Sequence, residues 1–248
     1  MSSPFIREED QNPDYDPRKY YPARVGETIS RRYRIISKLG WGANSTVWLA
    51  KDTTRWAWQS NRYVTLKITN SGKEEQRSAN EEVEISRYIS QLRSNHEGRA
   101  YVRLVRESFG IQGALGEHLC LVFEPLREPL WLLGKHLGSN DLKADNFLLG
   151  FEDSGVLESY ARQQESKPAA FWDDGGRPVF QSRPDFGHLR KGVGLVQISD
   201  FSAAVFGNVP KPHNHDIQPQ PFCAPEVLLK ATWTYSADIW NLGTVVWP

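Results

Sequence analysis

The stretch Leu39-Gly40-Trp41-Gly42-Ala43-Asn44-Ser45-Thr46-Val47 lies between two β-patterned runs, Tyr33–Ile36 and Thr46–Ala50, and it limits the possible folds more than any other part of the chain. Glycines at 40 and 42 let a backbone turn tightly and approach a phosphate closely. In a dinucleotide-binding unit such a glycine run opens a helix. Here it runs into a strand, then a polar loop, then a further strand, Tyr63–Ile68. A Gly-x-Gly hairpin is often purely structural, so a second signal is needed. Lys67 supplies it, ending the strand Val64-Thr65-Leu66-Lys67 twenty positions beyond Val47. A lysine at a strand end is commonly a solvated edge charge. In this order behind a glycine loop it suits a phosphate contact.

A second string carries chemistry of the same kind. In Asp141-Leu142-Lys143-Ala144-Asp145-Asn146, followed by Phe147-Leu148-Leu149, the Asp can accept the proton of an attacking hydroxyl. The Lys can neutralise charge on a transferred phosphoryl, and the Asn can hold Mg²⁺. Taken alone, the string reads equally well as a polar cap before a buried strand. Residues 78–93 are expected to form a helix with an apolar stripe of Val83, Ile85, Tyr88, Ile89 and Leu92. That helix should offer a carboxylate to Lys67, with Glu82 the first choice and Glu84 the second; a solvated helix-face charge is the rival reading. Two strings compete to supply a metal-binding carboxylate. Asp185-Phe186-Gly187 sits in a polar stretch with no strand ahead of it, whereas Asp200-Phe201-Ser202 follows the strand Leu195–Ile198 that can hold it rigidly. The strand context selects Asp200. His213-Asn214-His215-Asp216 lacks a second ligand cluster and reads as a loop.

Lys+Arg and Asp+Glu both number 30, so the net charge is zero and nothing argues for nucleic acid. The two cysteines, Cys120 and Cys223, form no metal or disulfide framework, which fits a reducing compartment. The start lacks the apolar core of a signal peptide, and no apolar run approaches the ~18 residues needed to span a bilayer. A soluble chain of the cytoplasm and/or nucleus is therefore expected. The expected organisation is an extended arm over 1–25, a β-rich lobe over 26–126, and a second lobe over 127–248. That second lobe holds a polar, Gly/Pro-rich, aperiodic stretch at about 151–194, expected to be an insertion or a long loop. Further strands are expected over Val102–Phe109 and Leu119–Phe123, and an apolar helix over Ala237–Val246.

These motifs, in this order, resemble the eukaryotic protein kinases, and more narrowly the serine/arginine-rich protein kinases of fungal type. Tyr21-Pro22-Ala23-Arg24-Val25-Gly26, Lys38-Leu39-Gly40-Trp41-Gly42, Ser45-Thr46-Val47-Trp48-Leu49, Asp141–Asn146, Ile217-Gln218-Pro219-Gln220 and Ser236-Ala237-Asp238-Ile239-Trp240 carry the likeness. It implies a two-lobed α+β fold and transfer of the ATP γ-phosphoryl to Ser or Thr of a protein, with Arg/Ser-rich substrates the family guess. It implies ATP held by residues 39–47, by Lys67 with Glu82, and by backbone groups of Glu124 and Leu126 behind the gatekeeper Phe123. Asp141 and Lys143 become catalytic, and Asn146 and Asp200 become Mg²⁺ ligands. The segment Ser236–Trp240 is implied to be a buried helix whose Asp238 bonds catalytic-loop amides. The chain also departs from the family. Ser45 stands for a third glycine, Ser139-Asn140 for the His before Asp141, and Ser202 for the glycine after Phe201. The stretch between Leu126 and Asp141 is too short for the long helix expected there, and the sequence stops soon after Ala237–Val246. A non-catalytic nucleotide- or partner-binding remnant, or a fragmentary gene model, is the competing reading.

Overall fold

The computed structural model describes residues 8–9, 12–56, 59–132, 145–190, 192, 194–207, 209–218 and 220–246. Its centre is a six-stranded antiparallel sheet. In chain order the strands are β1 (Thr28–Ile29), β2 (Tyr33–Gly42), β3 (Ser45–Asp52), β4 (Tyr63–Thr69), β5 (Glu107–Gln112) and β6 (Glu117–Phe123), arranged β1-β2-β3-β4-β6-β5. Alternation sorts the side chains. Trp48, Ala50, Val64, Leu66 and Ile68 meet Tyr33, Ile35 and Val122 in the main core. Val47, Thr65 and Lys67 go to the other face. Residues 102–106, expected to be strand, contribute only a bridge from Val102 to Ile198, and β5 begins at Glu107.

Helix α1 (Lys73–Gln91) follows β4 and packs on β6 and β4. Its buried positions are Ala79, Glu82, Ile85 and Ser86, whereas Tyr88 and Leu92 of the expected stripe are exposed. The phase is displaced because a buried carboxylate, not a further apolar side chain, faces the sheet. Tyr88 instead meets the ring of Phe206 edge-on at 5.1 Å.

Beyond the hinge, the segment 124–126 that follows β6, β7 (Phe147–Leu149) pairs antiparallel with β10 (Val196–Ile198). The insertion between them is not a long loop. Asp153 caps α2 (Ser154–Ser166) by accepting from the Gly155 amide at 2.6 Å, and β8 (Phe171–Asp174) and β9 (Arg177–Phe180) form a hairpin. Its turn uses Gly175 and Gly176 at φ 61° and 90°, a region that favours glycine. Val156, Tyr160, Ala161 and Gln164 form the buried stripe of α2. Polar residues diluted that stripe enough to make the segment look aperiodic. The insertion packs on the β-rich lobe: Val156, Tyr160, Ala161 and Phe186 join Ile36, Leu49 and Tyr63 in one core. Tyr63 donates to Glu158 at 2.8 Å, and Tyr160 donates to the Arg183 carbonyl at 2.6 Å.

Helices α3 (Pro225–Leu228) and α4 (Ser236–Val246) complete the described second lobe. The expectation of a buried helix at 236–240 is corrected. Ala237 packs on Ala224, Val227 and Trp233, but Ile239 and Trp240 are 65% and 48% exposed. The catalytic loop whose amides Asp238 was expected to bond begins at Asp141, and its residues 141–144 lie outside the described residues. His213 and His215 stack against Trp233, and no group of three or more potential metal ligands occurs among the described residues.

One ion pair at the end of β3 gives a pH prediction. Buried Asp52 accepts from Arg32 Nη2 at 2.9 Å and from Thr54 Oγ1 at 2.7 Å. Burial alone would raise its pKa, but the Arg32 and Thr54 bonds outweigh that and hold it down at about 2. A depressed folded-state pKa contributes stability above the ordinary value of 3.8 that is lost as pH falls toward 2. Urea unfolding at pH 6 and pH 3 should show the stability gap between wild type and Asp52→Asn narrowing by about 1 kcal/mol at the lower pH. A constant gap would contradict the assignment.

Candidate active site

A cleft of about 340 Å³ lies beneath the glycine hairpin, between the sheet and the β7–β10 ladder. Of the residues singled out in the sequence, Leu39, Gly40, Trp41, Gly42, Ser45, Val47, Lys67, Glu82, Leu126, Asn146 and Asp200 line it. The hairpin is tight, with Gly42 paired to Ser45 and Gly40 to Val47 across the turn Ala43-Asn44. A Cβ on Gly40 would meet no protein atom within 4 Å, so packing within the chain does not demand glycine there. That leaves room for something the cleft takes in.

Ala43, Asn44, Thr46 and Glu124 are not among the lining residues, and their bonds go elsewhere. The Ala43 carbonyl accepts from Tyr20 Oη at 2.6 Å and from Asn70 Nδ2 at 3.1 Å, and the Asn44 carbonyl accepts from the Asn70 amide at 2.9 Å. Buried Thr46 accepts from Trp48 Nε1 at 2.9 Å. These contacts hold the hairpin tip from behind. The N-terminal arm contributes: Tyr15 and Tyr20 pack their rings on Trp41, and Arg177 of the insertion lies over Tyr20, 4.9 Å from the ring centre.

At the far end of the cleft three charges converge. Lys67 Nζ is 2.8 Å from Glu82 Oε2 and 2.9 Å from Asp200 Oδ1. Lys67 and Glu82 are 16% and 1% exposed, whereas Asp200 is 43% exposed and open to the cleft. Burial opposes the ammonium charge, but the two carboxylates outweigh it, and the Lys67 pKa is held above its ordinary value. For Asp200 the same contest between burial and Lys67 leaves the pKa below the usual carboxylate range. Helix phase settles Glu82 over Glu84, since Glu82 points at β4. Asp200 has φ 66°, a left-handed conformation that costs a non-glycine residue of order 1–3 kcal/mol and is held by its surroundings. Those surroundings include the Phe201 amide donating to Glu82 at 3.4 Å and Ser78 donating to the Ser202 carbonyl at 2.8 Å.

Asn146 reaches the same place through the ladder. Ile198 pairs with Phe147, and the Ser199 amide donates to the Asn146 carbonyl at 2.8 Å, so Asn146 and Asp200 leave adjacent strand ends. An amide oxygen and a carboxylate are the hard donors that suit Mg²⁺. Asp185 is elsewhere. Its carboxylate accepts from the Gly187 amide at 2.7 Å, and neighbouring Phe186 packs against Tyr160 and Phe151 while lining the cleft mouth. Asp141 and Lys143 lie outside the described residues, as does the stretch preceding them.

Several contributors escaped the sequence reading. Arg127, wholly buried, binds Glu128 at 3.1 Å and Glu152 at 2.7 Å, and also donates to the Gly187 carbonyl, latching the insertion to the segment after β6. Arg103, also buried, donates to the Glu124 carbonyl from Nε at 3.2 Å and from Nη2 at 2.9 Å. Burial pushes its pKa down to about 10, which leaves it cationic. Neither arginine sits in a motif. Thr65 could have been found, because it stands two residues before Lys67 on the same face of β4.

A hairpin roof, a buried Lys–Glu pair reached from the neighbouring helix, and a metal-type carboxylate below define the protein-kinase class of fold. A solved kinase domain superposes with a TM-score of 0.60 over 92% of this chain and 67% of that one, at 20% identity. A serine/threonine protein kinase of Aspergillus fumigatus is 33% identical over 97% of this chain, and SRPK, a serine/threonine-protein kinase of Physarum polycephalum, is 27% identical over 98% of it. SRSF protein kinase 3 of Mus musculus is 33% identical over 51% of the chain and 22% of its own length. The chain spans 63% of the Aspergillus relative and 66% of the Physarum one. No protein-family model matches it. The chain is thus related along nearly its whole length to serine/threonine protein kinases, SRPK-type kinases among them.

Proposed function

We propose that the protein transfers the γ-phosphoryl of ATP, with Mg²⁺, to Ser or Thr of a protein, Arg/Ser-rich sequences being the expected substrate class. The observation that carries this is Lys67 held at 2.8 Å and 2.9 Å between Glu82 and Asp200 in the cleft that Asn146 also lines. The cleft volume falls within the range of small-ligand sites. Lys67 brings a fixed cation to the phosphates, and Glu82 keeps its ammonium aimed into the cleft. Asn146 and Asp200 would hold Mg²⁺, which supplies neutralisation of charge on the phosphoryl oxygens. Asp200 is then shared between metal and lysine, so its exposure toward the cleft is needed. The glycine hairpin covers the phosphates and keeps water away. Asp141 is assigned to orient the attacking hydroxyl, and Lys143 to meet the transferred group, on the pattern of residue types alone. The free cysteines fit a reducing compartment, the cytoplasm or nucleus.

Calorimetric titration with ATP, with and without Mg²⁺, tests the site. Mg²⁺-dependent binding should disappear in Asp200→Ala and persist in Asp185→Asn, which keeps the bond to the Gly187 amide. The reverse pattern would move the metal site to the insertion. Phosphorylation of an Arg/Ser-rich peptide, absent in Asp141→Ala, tests the transfer. Turnover that survives this change would remove Asp141 from its role.

A further inference from the structure

The base end of the cleft carries an unspent hydrogen-bonding group that neither the motifs nor the relatives assign. Thr65 lines the cleft and is 2% exposed, yet its Oγ1 has no hydrogen-bond partner among the described residues. Buried hydroxyls are nearly always bonded, and leaving one unpaired costs stability. The kinase strand pattern Val-Ala-Ile-Lys has an alanine at this position, with no such group. Strand alternation puts Thr65 on the face of Lys67, and the sheet register sets it directly opposite Phe123, next to Glu124. The Glu124 carbonyl, the acceptor that the hinge would turn toward a purine, already receives two bonds from the Arg103 guanidinium. One polar group near the base is thus spoken for while another, across the sheet from the hinge, is idle.

We propose that Thr65 determines base specificity, its hydroxyl accepting from the exocyclic 6-amino group of adenine in place of the Glu124 carbonyl that Arg103 occupies. The staggered wells of χ1 let the hydroxyl and methyl exchange places, so Oγ1 turns into the cleft when a base enters. This rests on the nucleotide-binding reading above, and the two are separated by the choice of ligands.

The test measures affinity for ATP and for purine riboside 5′-triphosphate, which lacks only the 6-amino group, by calorimetry with Mg²⁺. Wild type should prefer ATP about 3–10-fold, the worth of one neutral hydrogen bond. In Thr65→Val, matched in shape and strand preference, the ratio should fall to about one. Thr65→Ser should keep it, and Thr65→Ala, a second variant without the hydroxyl, should behave as Val does. A preference unchanged in Val and Ala, with both ligands still binding, would overturn the role of Thr65 and leave the nucleotide site standing. Failure of wild type to bind either triphosphate would overturn both.

Discussion

Arg127→Ala is expected to destabilise the protein by about 3–5 kcal/mol, the cost of removing one partner from a buried ionic cluster. Arg127 and Glu128 are both 0% exposed and Glu152 is 2% exposed. Truncation would leave two carboxylates in the interior with no cation among the described residues, and the Gly187 carbonyl without its donor. Glu152 also accepts from the Arg190 amide at 3.1 Å, so the same change loosens both ends of the insertion. For a chain of this length such a loss lowers the melting temperature by roughly 6–20 °C. Arg127→Lys keeps the charge but cannot span both carboxylates with a planar fork, and should fall between the two. Urea and thermal unfolding of the three proteins decide the matter. A loss below about 1 kcal/mol in the alanine variant would mean that the latch carries little.

Lys67→Ala should lower kcat/KM for peptide phosphorylation by about 10²–10³-fold, the usual effect of deleting one preorganised electrostatic group. Two consequences add. The phosphates lose their fixed cation, and Glu82, 1% exposed, keeps among the described residues the 3.4 Å bond from the Phe201 amide. Asp200 is freed as well, so the left-handed turn at Asp200 loses one of its ties. Lys67→Arg retains the charge and should retain more activity than alanine does. The assay needs ATP affinity measured alongside, because a loss in binding alone raises KM and leaves kcat intact. Activity within tenfold of wild type would show that the ion pair organises the fold and not the chemistry.

Much of the β structure was legible because its cues are local. The hairpin Gly42–Ser45, the strand Tyr63–Thr69 and the ladder strand Val196–Ile198 follow from alternation and turn residues within a few positions of each other. Asp200 was legible over Asp185 for the same reason: a strand precedes it. The insertion was not, since the core of α2 is built with Ile36, Leu49 and Tyr63, some ninety or more residues earlier, and polar neighbours mask its stripe. Nor was the exposed side of α4, because a sequence states apolarity but not what covers it.

By itself the sequence determined the residue types and their order: a glycine hairpin, a strand lysine, a helix carboxylate and a strand-borne aspartate, each placed by short-range periodicity. Only the tertiary structure decided which of them meet. Glu82 prevails over Glu84 because one helix position faces β4 and the other does not, and Lys67 reaches Asp200 across 133 residues of chain. The diversion of the Glu124 carbonyl to Arg103, and the place of Thr65 opposite Phe123 on the neighbouring strand, arise from packing between elements distant in sequence. Hydrogen bonds of that kind leave no periodic trace along the chain, because the distance that matters to them is measured through space.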